Sequence, residues 1–255
     1  MPGHEYRAYA VRYGHRDSVP AHEAFHRPHA APAGGMDYFI WLITDGQRSV
    51  VVDTGFDEAE GTRRGRQFLR SPDRGLAELG VQARDVEHVV LTHFHYDHIG
   101  GTALFPRARF YVQEDEMRFY AGPGATVPVV RESIHVPDVV NLLRMNYDGR
   151  VKFTNGDEEI LPGVWVHKAS GHTPGMQFVS LETSRGRAVL TSDASHYYAN
   201  MEDANAFNTF VDLAGVFRGH ERIRQVASAP ELIVPGHDPL VLERLRPVGD
   251  AIVEL

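Results

Sequence analysis

Cysteine is absent from the 255 residues. Disulfides, thiolate nucleophiles and cysteine-liganded zinc sites are excluded together. The redox compartment stays open, because a chain without thiols folds in either. Also missing is any apolar run near the ~20 residues that span a bilayer. Met1 to His15 are polar and lack the apolar core of a secretory signal, so the expected location is cytoplasmic, with no membrane partner. Positive charge is in deficit: 26 Lys and Arg face 34 Asp and Glu, a formal net charge of −8. That balance argues against a nucleic-acid partner. One local basic stretch, Arg63, Arg64, Arg66 and Arg70, falls on an expected helix and reads as a solvated face. Histidine is in excess instead, with 15 copies, and imidazole is the commonest metal ligand.

No low-complexity segment divides the chain, which reads as a single domain over residues 1–255. Residues 14–35, with Pro20, Pro28 and Pro32 and four histidines (His15, His22, His26, His29), read as a long solvated loop or arm. Tyr38 to Thr44 and Ser49 to Val52 are short β-branched runs joined through Asp45-Gly46, a hairpin signal. Ser71-Pro72-Asp73 starts a helix that stops at Gly80. His88 to Thr92 and Arg109 to Val112 are further strands, and Thr126 to Tyr147 is mostly helical with interruptions at Pro128 and Pro137. A second strand set follows: Val164 to Lys168, Gln177 to Glu182, Ala188 to Thr191 and Leu232 to Val234. Between the last two, Leu213, Val216, Phe217, Ile223 and Val226 form the stripe of an amphipathic helix capped by Asp212. Two strand-rich halves with helices around them give a layered α/β fold with two packed sheets. His135, His167 and His220 lack metal-like surroundings and are expected to pack or face solvent.

The run His93-Phe94-His95-Tyr96-Asp97-His98 follows the apolar strand Val89-Val90-Leu91 and precedes Gly100-Gly101. A His-x-His-x-Asp-His run arises by chance about three times in a thousand chains of this composition, which favours a site over a histidine-rich turn. His93 and His95 can project to the same side of an extended backbone, while Asp97 and His98 follow on the turn. Mixed imidazole and carboxylate ligands suit zinc, and also iron, manganese or cobalt. Four ligands cannot complete two coordination spheres, so more must come from later strand ends. His172 in Gly171-His172-Thr173-Pro174-Gly175, Asp193 and His237 each follow an apolar run, and the glycines around His172 let the backbone turn sharply.

This set, with Asp53-Thr54-Gly55, resembles the metallo-β-lactamase superfamily from about Tyr38 to Pro239. The resemblance implies a four-layer αββα sandwich binding two divalent metal ions, zinc foremost. His93, His95 and His172 would hold one ion, and Asp97, His98 and His237 the other, with Asp193 bridging. Asp53 would support the ligands from behind, or cap backbone amides of a turn. Two such ions acidify a bridging water, the resulting hydroxide attacks a carbonyl, and Asp97 shuttles the proton.

Within the superfamily the chain is most similar to the N-acyl homoserine lactonase branch. Cysteine-liganded β-lactamases are excluded, and other β-lactamases lack the bridging carboxylate. Glyoxalase II enzymes continue into a helical domain, whereas 18 residues follow His237 here. Nuclease branches would want a basic track. Length, the aromatic neighbours Phe94 and Tyr96, and Thr191-Ser192-Asp193-Ala194-Ser195 all match the lactonases; Tyr96 either lines the pocket or packs beneath the metals. One departure stands out. Those lactonases carry a Tyr three residues after the bridging Asp; here that residue is His196, followed by Tyr197 and Tyr198. His196, or Tyr197 after a small backbone shift, is expected to take the catalytic role of that hydroxyl. The expected substrate is a small lactone, and a homodimer is compatible. The alternatives are another ester or thioester hydrolase, a mononuclear iron enzyme of the persulfide-dioxygenase type, and a non-catalytic metal-binding protein.

Overall fold

The computed structural model describes residues 5–29 and 34–255. In chain order its strands are β1 (Arg7–Arg16), β2 (Met36–Thr44), β3 (Ser49–Val52), β4 (Gln67–Phe68), β5 (His88–Val90), β6 (Arg109–Gln113), β7 (Val151–Thr154), β8 (Glu158–Leu161), β9 (Val164–Lys168), β10 (Gln177–Thr183), β11 (Gly186–Leu190), β12 (Ile233–Val234), β13 (Arg246–Gly249) and β14 (Ile252–Glu254). β2 shows how the layers arise. Tyr38, Ile40 and Leu42 point to one face and Phe39, Trp41 and Ile43 to the other, and all six are buried. A strand buried on both faces needs a layer on each side.

On the Phe39 side lies a second sheet. Val164, Val166, Val179, Leu181, Ala188 and Leu190 close a core between the sheets with Trp41, Val50, Val52 and Val90. On the Tyr38 side, helices Pro72–Glu78 and Val136–Tyr147 contribute Leu76, Leu142 and Met145. The outer face of the second sheet packs Phe178, Val189 and Ile233 against Ile223 and Val226 of helix Leu213–Val226. Three cores between four layers make the expected αββα sandwich.

The first sheet runs β13-β14-β1-β2-β3-β5-β6-β7, with β4 on β1, and the second β12-β11-β10-β9-β8. β3, β5, β6 and β7 are parallel, as are β11 and β12. Ligands in such sheets collect beyond the carboxyl ends of the strands.

Several local expectations change. β1 extends to Arg16, so the loop expected from residue 14 starts at Asp17 and includes a helical turn, Ala21–Ala24; residues 30–33 lie outside the described residues. β1 escapes sequence reading because Ala8 and Ala10 face one core and Tyr9, Val11 and Tyr13 the other, which leaves no polar alternation. Pro128 and Pro137 do not interrupt a helix. They stand in the first turns of two, Pro128–Arg131 and Val136–Tyr147, where a missing N–H costs nothing. The Asp157–His167–Ser180 chain, at 2.9 Å per link, is structural: Ser180 is fully buried between β9 and the outer helix, where Arg222 also grips Asp157.

Candidate metal centre

Both sheets deliver strand ends to one edge. Beyond β3 comes Asp53 and beyond β5 His93 to His98. His172 lies in the β9–β10 connection, Asp193 after β11 and His237 after β12. All seven expected ligands are buried and meet. His93 Nε2 and His95 Nδ1 lie 3.1 and 2.8 Å from His172 Nε2. Asp97 Oδ2 is 3.5 Å from His98 Nε2 and 3.6 Å from His237 Nε2. Asp193 stands between the groups. Its Oδ1 is 3.3 Å from His98 Nε2 and 3.0 Å from His237 Nε2, and its Oδ2 is 3.4 Å from His172 Nε2.

The rings are held from behind. His172 Nδ1 donates to the Thr209 carbonyl at 2.5 Å, His237 Nδ1 to the Asp37 carbonyl at 2.8 Å, and His98 Nδ1 to Asp53 Oδ2 at 2.8 Å. A ring nitrogen that donates outward leaves its Nε2 lone pair facing inward. The centre is thus crowded with acceptors. Two of its buried atoms, His98 Nε2 and Asp193 Oδ1, have no hydrogen-bond donor. Imidazole nitrogens and carboxylate oxygens gathered at 3.0–3.4 Å around one point can share a cation, so the donor set fits divalent metal. Burial, then the neighbouring imidazoles, push His93 and His95 well below the usual imidazole range and keep their lone pairs free. Burial opposes ionisation of Asp97, but His98 and then His237 hold its carboxyl below the usual range.

Asp53 plays both expected parts. Held at φ +62°, its carboxylate accepts from Thr92 N and Thr92 Oγ1 at 2.8 Å and Ser192 Oγ at 3.2 Å, besides His98. Tyr13 of β1 donates to the Asp97 carbonyl at 2.7 Å.

The glycines around His172 differ from expectation. Neither has a left-handed φ; they permit close approach instead. A Cβ on Gly171 would lie 2.4 Å from Val216 N, and one on Gly175 2.2 Å from Glu116 N.

Glu116 carried no sequence signal, standing alone in an ordinary acidic run. Buried in helix Glu114–Tyr120, it accepts from Phe94 N (2.8 Å), Gly175 N (2.8 Å) and Thr173 Oγ1 (2.7 Å), tying the His93–His98 segment to the His172 loop. Burial, against those hydrogen bonds, pushes its carboxyl up to about 7. Glu116→Ala would strand three buried donors. Urea unfolding of the metal-free variant is expected to show a loss of about 3 kcal/mol, and competition titration a 10- to 100-fold weaker hold on metal. Wild-type values in both would refute this linking role.

A cleft of about 480 Å³ opens over the centre. His95, Asp97, His172, Asp193, His196 and His237 form its floor, Val19, Met36, Val129, Val130, Phe210 and Val211 an apolar wall. Tyr96 lines this cleft, while Phe94 is fully buried against Tyr120. His196 is in the floor, stacked on Phe207 at 3.7 Å, with Nε2 2.9 Å from Asp193 Oδ2. Tyr197 is turned away. Its ring packs with Val19, Ala24 and Phe25, and its hydroxyl donates to the Gly35 carbonyl at 3.4 Å. His26 and His29, expected in a solvated loop, dock on Asn208 and Asp203, beside the segment that holds His172. His220 packs as expected, its Nε2 donating to the Ala194 carbonyl at 2.9 Å.

The basic stretch is not one solvated face. Arg63 pairs with Glu60, and Arg70 with Glu78 and Asp250, but Arg64 and Arg66 line the cleft. Helix Glu58–Arg63 ends before Arg64, Arg66 and Arg70, so no helical face joins the four.

Among known proteins, the family model described as the metallo-beta-lactamase superfamily matches residues 33–237. The chain is 30% identical over 216 residues to N-acyl homoserine lactonase AiiA of Bacillus thuringiensis subsp. kurstaki, covering 78% of this chain and 80% of that one. The crystal structure of a quorum-quenching N-acyl homoserine lactone lactonase superposes with TM-score 0.78 at 22% identity, covering 96% of each chain. AidC, a dizinc quorum-quenching lactonase in complex with a product, superposes with TM-score 0.69 at 18% identity, covering 94% of this chain and 90% of that one. The family match spans most of the chain, and the chain belongs to the metallo-β-lactamase superfamily.

Proposed function

We propose that this protein is a dinuclear metal-dependent hydrolase that opens a small lactone of the N-acyl homoserine lactone class. The observation that carries the dinuclear reading is Asp193, whose two oxygens face different ligand groups: Oδ1 faces His98 and His237, and Oδ2 faces His172. His93, His95 and His172 would hold one ion and Asp97, His98 and His237 the other; nitrogen and oxygen donors of this kind favour zinc, with iron, manganese or cobalt compatible. A bridging carboxylate in that position favours two ions over the mononuclear iron alternative. The lactone class rests on the curated relatives, which are named for that activity.

When bound, the metal would supply Lewis acidity and lower the pKa of a coordinated water towards neutrality. The chain's own groups do the rest. The Asp97 carboxylate, held ionised beside His98, takes the proton released on attack at the carbonyl and passes it to the departing alkoxide oxygen. The ring oxygen leaves as a hydroxyl, and the acyl carbon ends as a carboxylate. Val129, Val130, Phe210 and Val211 give an apolar wall for the acyl chain. We assign His196 a positioning role, because its Nε2 is already engaged with Asp193 Oδ2. Tyr197, packed away from the cleft, takes no part in this reading.

Elemental analysis is expected to find close to two ions per chain, and chelation to abolish acid release from lactones in a pH-indicator screen. A fully loaded protein that leaves a broad lactone panel intact would overturn the substrate class and leave the dinuclear reading standing. His196→Phe, which keeps the stack on Phe207 but drops the bond to Asp193, is expected to lower kcat about tenfold with little change in KM. A change confined to KM would place His196 on the substrate instead.

A further inference from the structure

The arginines of the cleft differ in what they hold. Arg16 is bound to Glu23 through both terminal nitrogens, at 2.7 and 3.3 Å. Arg64 bonds Glu60 at 2.6 Å and the carbonyls of Glu132 and Ile134 at 2.7 and 3.0 Å, with its guanidinium 3.8 Å over the Tyr96 ring. Arg66 has no carboxylate partner among the described residues. Its Nε donates to the Tyr96 hydroxyl at 3.3 Å and its Nη1 to the Arg64 carbonyl at 3.0 Å. Nη2 and the remaining Nη1 hydrogen are left over. Of the acids that line the cleft with it, Glu23 is gripped by Arg16, Glu132 is solvent-exposed, and Asp97 faces His98 and His237 among the candidate metal ligands.

The backbone aims this side chain. After helix Glu58–Arg63, Gly65 adopts φ +65°, its N–H bonds the Thr62 carbonyl at 3.1 Å, and Arg66 N bonds the Gly61 carbonyl at 2.8 Å. That pair of bonds is a Schellman cap, which turns the chain sharply at a left-handed residue. The next residue is thereby directed into the cleft, where Arg66 half-buries against Tyr96 and Tyr38. A half-buried guanidinium held on a rigid turn, without its own acid, is suited to grip an oxyanion.

We propose that Arg66 forms an anion subsite in the metal cleft, and that the natural substrate carries a carboxylate on the part that is not hydrolysed. The inference rests on the hydrolase reading and narrows it: the acyl chain crosses the apolar wall and ends, or branches, in a charged group. A purely aliphatic tail leaves the Arg66 donors to water.

The test uses metal-loaded enzyme and paired homoserine lactones acylated either by succinic, adipic and suberic acids or by the neutral fatty acids of matching length. For at least one length, KM for the anionic member is expected to lie about tenfold below that of its neutral partner. Arg66→Met should bring that ratio to near one, and Arg66→Lys should restore part of it, which separates charge from folding. A ratio near one in the wild type, or a ratio that survives Arg66→Met, overturns the proposal. Should no lactone open, the lactone reading falls alone. Calorimetric binding of N-methyl adipamic acid against N-methyl hexanamide then decides the subsite: a preference for the acid that Arg66→Met removes supports it, and equal or absent binding overturns it.

Discussion

Asp193→Asn is expected to leave about one ion per chain and to lower kcat/KM about a thousandfold, ~4 kcal/mol of transition-state stabilisation at a tenfold per 1.36 kcal/mol. Asparagine keeps the volume and loses the charge that two ligand groups share. Its amide would present N–H to one group, where a lone pair is needed, and that group would be left short of a ligand. Elemental analysis and lactone turnover on one preparation check both, and a variant with two ions and intact turnover would sink the bridging assignment.

Asp53→Ala acts on the same centre from behind. It removes the acceptor of four buried donors: Thr92 N, Thr92 Oγ1, Ser192 Oγ and His98 Nδ1. It also puts alanine at φ +62°, where a Cβ without a hydrogen-bonding side chain is disfavoured. Together these should destabilise the metal-free protein by about 4 kcal/mol in urea unfolding. Released from Asp53, His98 can turn, and metal affinity should fall 10- to 100-fold. Asp53→Asn tolerates the left-handed backbone and retains one acceptor oxygen, so about half of the stability loss is expected back, with the metal defect largely kept. An alanine variant within about 1 kcal/mol of wild type would show that Asp53 is only a turn residue.

The two substitutions separate what is readable in a chain from what is not. Asp53 and Asp193 are conspicuous in sequence because each follows an apolar run and sits in a small-residue turn. Their partners are not. Glu116 looks like any helix-start carboxylate until the fold folds it under Phe94, Thr173 and Gly175. Arg66 looks like part of a solvated basic face until a left-handed Gly65 turns it inward. Tyr197 looks like a substitute for a missing tyrosine until its ring is seen among Val19, Ala24 and Phe25. Adjacent residues in a turn can point opposite ways, and the packing of Tyr197 against the N-terminal segment leaves His196 to face the cleft.

The sequence by itself determined the features written in contiguous residues: the His93–His98 cluster, the Asp45-Gly46 hairpin, the Ser71-Pro72 helix start, the stripe of helix Leu213–Val226, and the candidate ligands at strand ends. Periodicity, capping and turn chemistry act over a few residues, so a few residues carry them. Only the tertiary structure decided which strand ends meet. β1 inserts between β14 and β2, pairing residues more than two hundred positions apart in the chain, and two sheets must face before Asp193 can stand between His98 and His172. Those juxtapositions are set by burying both faces of strands such as β2 against different layers, a many-body packing outcome that no local pattern records.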